Sequence, residues 1–404
     1  MRILFITGEF PPMQGGVGDC TNEIAQGLAA RGADVRVLTS AKASLPHASR
    51  LTPHASRLTV LPLIERWDWS SHRVLARVLR EFAPHIAHIQ YQTGAFAMHP
   101  AINFAPRRFK SPTTKFVTTF HDLRVPYLFP KAGPVRDWVT RELARSSDAV
   151  IATNDDDYTQ LLTLNLKLLT LIPIGSNIPI TESPNHPRDA WRAQLGVRED
   201  ETLLCYFGFL NESKGGETLI RALALIPNAK LLMIGGKVGA SDPTNAIYLS
   251  KIESLISNLQ LTDRILWTDY TPPEIVTANF YASDVCVLPY RDGASYRRGT
   301  LMAALAHGCA IVTTVGRRQE AGGRRQEAGG SQQLPPLRDG ENCLLVPPDD
   351  PRALAEAIQR AIVSPELRAK IGAGARALAQ HFTWDKIVSQ HIELYQRIVN
   401  QSGA

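Results

Sequence analysis

The chain has 404 residues, more than a single hydrophobic core usually organises, so two domains are expected. Hydrophobic residues make up 44% and charged residues 20%, which excludes a disordered chain. The net charge of +6 is mild, and the basic cluster Arg107-Arg108-Phe109-Lys110 is too short for a nucleic-acid arm, so nucleic acid is not an expected partner.

The opening MRILFITGEFPP carries one cation and a short apolar run broken by Gly8, Glu9 and two prolines. It reads as a first β-strand and not as a signal peptide. Ile3–Thr7, Val35–Thr39, Ile86–Gln90, Phe116–Phe120 and Ala149–Thr153 are strand candidates. Between the first two, Gly18–Arg31 places Ile24, Leu28 and Ala29 at helical spacing and stops at Gly32. This alternation predicts right-handed βαβ units and a parallel sheet. The segment IPIGSNIPITESPNHPRD (172–189) has no periodicity and reads as an interdomain linker. The cadence then restarts with strand Leu203–Phe207, helix Glu217–Leu225, strand Lys230–Ile234, helix 245–259, strand Ile265–Trp267, helix 273–282 and strand Val285–Leu288. Strands Ala310–Thr314 and Cys343–Val346 follow, then helices from Pro351 onward. The fold class is therefore α/β, with two doubly wound Rossmann-like domains and a ligand cleft expected between them.

Five cysteines, odd in number and never in CxxC spacing, point to free thiols in a reducing cytoplasm. No run of eighteen apolar residues spans a membrane. Two exact tandem duplications, PHASRLT at 46–52 and 53–59 and GRRQEAG at 316–322 and 323–329, read as growth of surface loops without chemistry. Asp155-Asp156-Asp157 reads as a polar helix start, and no Asp-x-Asp metal motif is present, so no metal is expected.

Gly15, Gly16 and Gly18 stand between the first strand and the first helix. Amides at a helix start, with no Cβ in the way, can bind an anion; a turn needing positive φ is an equal alternative. A nicotinamide fingerprint fits poorly, because Thr21 stands where the third glycine belongs.

With this loop the chain resembles the retaining family 4 glycosyltransferases of the GT-B fold. Further matches run in order along the chain: FVTTFHDL (116–123), FGFLNESKGGETLIRAL (207–223), YASDVCVLPY (281–290), MAALAHGCAIVTT (302–314), DGENCLLVPPDDPRALAEAI (339–358) and FTW (382–384). The resemblance implies an acceptor domain over 1–175, a nucleotide-sugar domain over 176–384, and a final helix, 385–404, packing back on the first domain. It implies transfer of a hexose from a nucleotide diphosphate sugar, with retention, to a lipid-linked, polysaccharide or small-molecule acceptor, without an essential metal.

The resemblance also assigns residues. Lys214 matches the lysine that neutralises the departing diphosphate, and His121 a histidine that contacts the donor sugar. Gly16, Gly18 and Gly208 line the donor, and Gly299 and Thr300 open the helix that meets it. The family's arginine five residues before the lysine is Phe209 here, and its second glutamate, the ribose ligand, is Ala303. Within PYRDGASYRRGTLMAALAHG (289–308), Asp292 is the candidate replacement carboxylate, and Arg297 and Arg298 are the candidate diphosphate cations. Tyr91 and Gln92, at a strand end, are the candidate acceptor-side residues. Arg73, Arg77 and Arg80 recur at helical spacing and would suit peripheral contact with the inner face of an anionic membrane, a solvated helix face being the plainer alternative. Rival readings are an inactive sugar-nucleotide-binding partner subunit, which Ala303 and Phe209 favour, and a GT-B nucleotide-sugar epimerase.

Overall fold

A computed structural model describes residues 1–43, 57–123, 133–180, 186–237, 244–316 and 333–401. Nearly all of both tandem duplications lies outside these residues. The chain divides into two compact units: Met1–Gly175 with Gln332–Leu334 and Trp384–Ala404, and Ser176–Ser331 with Pro335–Thr383.

The first unit is built on seven parallel strands: β1 Arg2–Thr7, β2 Asp34–Ser40, β3 Leu58–Ile64, β4 Ile86–Tyr91, β5 Lys115–Phe120, β6 Ala149–Ala152 and β7 Leu169–Leu171. Their order is β3-β2-β1-β4-β5-β6-β7. The register places Phe5 opposite Val37 on one side and His88 on the other. The order reverses between β1 and β4, the switch point where open α/β sheets bind ligands beyond the carboxyl ends of their strands.

Every residue of β4 is buried, because helices cover both faces of a parallel sheet. One of those covers is the helix Trp384–Asn400, which packs on Gly16–Ala30 through buried Ile387 and Val388. The fit is close: a Cβ on Gly27 would lie 2.6 Å from Val388 Cγ2, and Arg31 pairs with Asp385.

The second unit repeats the plan with six strands: β8 Thr202–Phe207, β9 Ala229–Ile234, β10 Ile265–Trp267, β11 Val285–Leu288, β12 Ile311–Thr314 and β13 Leu344–Val346. The order β10-β9-β8-β11-β12-β13 reverses between β8 and β11. The two doubly wound sheets match the fold class expected from the strand–helix cadence.

Three elements go beyond the sequence reading. β3 contains Pro62, which a strand tolerates at a sheet edge, where one side of the backbone needs no partner. β7 is three residues long at the opposite edge. The linker ends earlier than 189, in a helix Arg188–Gln194 whose Arg192 donates to the carbonyls of Ala282 (2.9 Å) and Glu201 (2.7 Å) and to the carboxylate of Asp284 (3.1 Å).

Candidate functional site

The carboxyl end of β8 runs into Gly208, whose φ of +111° only glycine adopts without strain. A Cβ there would stand 2.7 Å from Thr300 Cγ2 and 3.0 Å from Lys214 Nζ. Glycine is required because an amine and a methyl group from two other segments already converge on the spot.

Asn211 shapes the turn that delivers the lysine, its Oδ1 accepting from the Lys214 N–H at 3.1 Å. Gly215, at φ +72°, sits so close to Pro289 that a Cβ would fall 1.8 Å from its carbonyl oxygen. The helix Gly216–Ala224 starts immediately beyond. Lys214 keeps part of its surface, yet burial of its ammonium, and secondarily the nearby Arg298, lowers its pKa to about 7. Phe209, in place of the family arginine, presents its ring 5.9 Å from Lys214 Nζ. An aromatic face replaces a like charge beside the amine.

The cationic loop after β11 is arranged differently from expectation. Arg297 and Arg298 both donate to the Asp292 carboxylate, at 2.8 and 2.6 Å, with side chains exposed by only 7%, 12% and 8%. The three groups expected to meet ribose and diphosphate meet one another, because charges this deeply buried require partners inside the protein. Arg298 also lies over the Tyr290 ring at 4.6 Å, and the Tyr290 hydroxyl shares a 2.7 Å hydrogen bond with Thr300. Arg291 instead bonds surface acids, Glu212 at 2.6 Å and Asp349 at 2.8 Å. Gly299 opens the helix Gly299–Ala306 with free space where a side chain would project. Ala303, at the position of the family glutamate, is fully buried.

In the first unit, the glycine loop carries its own anion. Glu9 Oε1 accepts from the amides of Val17 (3.1 Å) and Gly18 (3.4 Å), so the Gly18 N–H expected to serve a ligand is engaged by the chain itself. Burial outweighs these two bonds and raises the Glu9 pKa. A Cβ on Gly16 would meet nothing within 4 Å, leaving that backbone open.

His121 follows β5 directly. Its amide donates to the Tyr91 carbonyl at 3.0 Å, and its Nε2 lies 2.7 Å from Gln90 Oε1. Gln90 and His88, two residues apart on β4, lie on one sheet face. Gln90 Nε2 reaches His88 Nε2 at 3.3 Å, and His88 bonds Thr119 at 2.8 Å and Tyr395 at 2.5 Å. Burial lowers the pKa of His121 and of His391 to about 4, and that of His88 well below its usual value.

Tyr91 is a correction. It is 2% exposed, stacked on Phe96, with Asn103 Nδ2 donating to its hydroxyl at 3.0 Å, and so belongs to the core. Gln92 is partly exposed at the end of β4, and its carbonyl accepts from Ala95 at 3.1 Å. His88 stands in the same strand-end stretch as Tyr91 and Gln92, whereas Glu9, Gln90 and Tyr395 were missed by sequence reasoning. The available signal was polar residues at alternate positions of a strand otherwise built for burial. Among the described residues, no group of three or more His, Cys, Asp or Glu side chains is placed to hold a metal ion.

Comparison with known proteins extends this geometry. Residues 15–175 match the glycosyl transferase 4-like domain, and residues 201–363 match the glycosyl transferases group 1 domain. The D-inositol 3-phosphate glycosyltransferase of Xylanimonas cellulosilytica is 24% identical over 273 residues, covering 65% of this chain and 60% of that protein. The chain thus spans about 60% of the length of the first curated relatives it matches. The enzyme of the same name from Corynebacterium diphtheriae is 24% identical over 420 residues, covering 95% of this chain and 92% of the relative. Among solved structures, sucrose-phosphate synthase from Thermosynechococcus elongatus superposes with a TM-score of 0.76 at 25% identity, covering 99% and 100% of the two chains. HepE of Anabaena in complex with UDP and glucose gives 0.74 at 21% identity, covering 98% and 100%. With both family domains in sequence on paired doubly wound sheets, the chain belongs to the glycosyltransferases of the GT-B fold.

Proposed function

We propose that the protein is a retaining hexosyltransferase that moves a sugar from a nucleoside diphosphate donor to an acceptor hydroxyl in cell-envelope or polysaccharide synthesis, on the cytoplasmic side. The observation that carries this reading is the convergence of Lys214 Nζ and Thr300 on Gly208 at the carboxyl end of β8. An amine beside a side-chain-free backbone suits a leaving group that gains negative charge as the glycosidic bond breaks. An anion brought against this amine favours its protonated form. His121 is held neutral, which suits a hydrogen bond to a sugar hydroxyl rather than charge neutralisation. The relatives named above include D-inositol 3-phosphate glycosyltransferases, a sucrose-phosphate synthase and a HepE complex with UDP and glucose, which supports a nucleotide sugar donor here.

Arg73, Arg77 and Arg80 are exposed on one helix, and Trp69 and Trp138 are 53% and 55% exposed, which supports contact with an anionic membrane face. No helix among the described residues is long and apolar enough to cross a membrane. Buried Ala303, and Arg297 and Arg298 bound to Asp292, favour a second reading, a sugar-nucleotide-binding partner subunit without turnover.

The test measures UDP and GDP release from a panel of nucleotide sugars, with EDTA present, alone and with inositol phosphates, sugar phosphates or lipid extract. Release that depends on Lys214 and survives EDTA supports the transferase. Thermal stabilisation by nucleotide sugars without any release supports the partner subunit.

A further inference from the structure

We propose that Gln90 is a positioning residue that fixes which nitrogen of His121 carries the proton, and that Tyr395, on the helix Trp384–Asn400, holds Gln90 in that orientation through His88. The inference rests on the reading of His121 as the residue that meets the donor sugar.

A side-chain amide is asymmetric. One end only donates and the other only accepts. Gln90 Nε2 donates to His88 Nε2 at 3.3 Å, and Thr119 Oγ1 lies 2.8 Å from the same nitrogen. His88 Nε2 therefore accepts, and the His88 proton sits on Nδ1, which donates to the Tyr395 oxygen at 2.5 Å. The other end of the amide, Oε1, is an acceptor 2.7 Å from His121 Nε2. His121 Nε2 must then carry its proton, and His121 Nδ1 keeps a lone pair, able to accept a hydrogen bond from a hydroxyl and unable to donate one.

Exposure gives the chain a direction. His88, Gln90 and Tyr395 are 0% exposed, and His121 is 9% exposed. The network starts in the closed interior and ends at the one imidazole that keeps contact with the surface. Burial keeps both imidazoles neutral, so tautomer rather than charge is the property set here. A leucine at position 90 would fill the strand interior equally well, so packing alone does not call for an amide.

The experiment uses the full chain and reads imidazole nitrogens by long-range 1H–15N correlation, with His121 identified by its loss in His121→Asn. Turnover with UDP-glucose as donor probe is measured alongside. Wild type is expected to show the Nε2–H form of His121. Gln90→Leu should give mixed tautomers and lower kcat about tenfold, the worth of one well-placed hydrogen bond, with KM for UDP-glucose within about twofold. Gln90→Glu keeps an acceptor at His121 Nε2, so it should restore the tautomer and most of kcat. Tyr395→Phe frees the amide to rotate and should split the His121 signal. An unchanged His121 spectrum in Gln90→Leu overturns the proposal. So does an equal loss of kcat in the leucine and glutamate variants, which a purely structural role would give. An unsplit signal in Tyr395→Phe removes Tyr395 from the chain of control. A wild type that never turns over a donor defeats the transferase reading alone, while the spectra still decide the tautomer.

Discussion

If Lys214 receives the diphosphate, donor binding must draw a proton from solution. With a pKa of about 7 in the free protein, the amine is about half protonated at pH 7 and about one-eleventh protonated at pH 8. A diphosphate within ion-pair distance raises an adjacent amine by about one to three units. At the upper part of that range the bound amine is at least about ten-elevenths protonated at pH 8, so binding takes up about 0.8 of a proton there and about 0.5 at pH 7. The sign follows directly: above pH 7 the free protein lacks the proton that the complex needs, so Kd rises with pH, approaching tenfold per unit. Calorimetric titration of UDP at pH 8 in two buffers of different ionisation enthalpy reads the uptake. The nucleotide contributes little at that pH, because a terminal phosphate titrates near about pH 6. Lys214→Met should abolish the uptake. Binding without uptake, or the same uptake in Lys214→Met, refutes the assignment of this lysine to the diphosphate.

Gly208→Ala should cost about 1–3 kcal/mol of stability from its backbone conformation, and should weaken UDP binding by displacing Lys214 or Thr300; denaturant midpoints and titration read the two effects. Asp292→Ala leaves two buried guanidinium groups without their shared carboxylate and should destabilise the second unit by about 3–5 kcal/mol, against a negligible change if the trio were solvated. The buried imidazoles predict acid sensitivity. His121 and His391 titrate at about 4 when folded and near about 6.5 when unfolded, so between these values the unfolded chain binds more protons and stability falls as pH drops. A melting temperature that stays flat from pH 7 to 4.5 would contradict their burial as neutral groups.

Most of the strands that the sequence declared sit inside a sheet, although β10 and β13, the two edges of the second sheet, were declared as well. Runs such as Val285–Leu288 and Ile265–Trp267 are short, apolar and flanked by turn residues, and they appear with the same limits. The two missed strands, β3 and β7, are the edges of the first sheet: Pro62 interrupts the pattern of one and the other has only three residues, so their local signal is weak. The site divides in the same way. The turn that carries Gly208 and Lys214 was legible because a turn's conformational demands are written locally. The pairing of Asp292 with Arg297 and Arg298 was not, since charge spacing does not tell whether a side chain turns toward ligand or neighbour. Tyr91 was misplaced because β4 is buried on both faces, which removes the polar–apolar alternation that would have shown its direction.

Apart from Gln332–Leu334, the chain leaves the first unit at Gly175 and comes back at Trp384, where a late helix closes against Gly27 and supplies Tyr395 beneath His88. During synthesis, the amino-terminal half therefore emerges from the ribosome long before its last structural piece exists. The middle of the chain can complete its own sheet first, whereas the earliest-made segment must wait, partly uncovered, for the final turns to arrive.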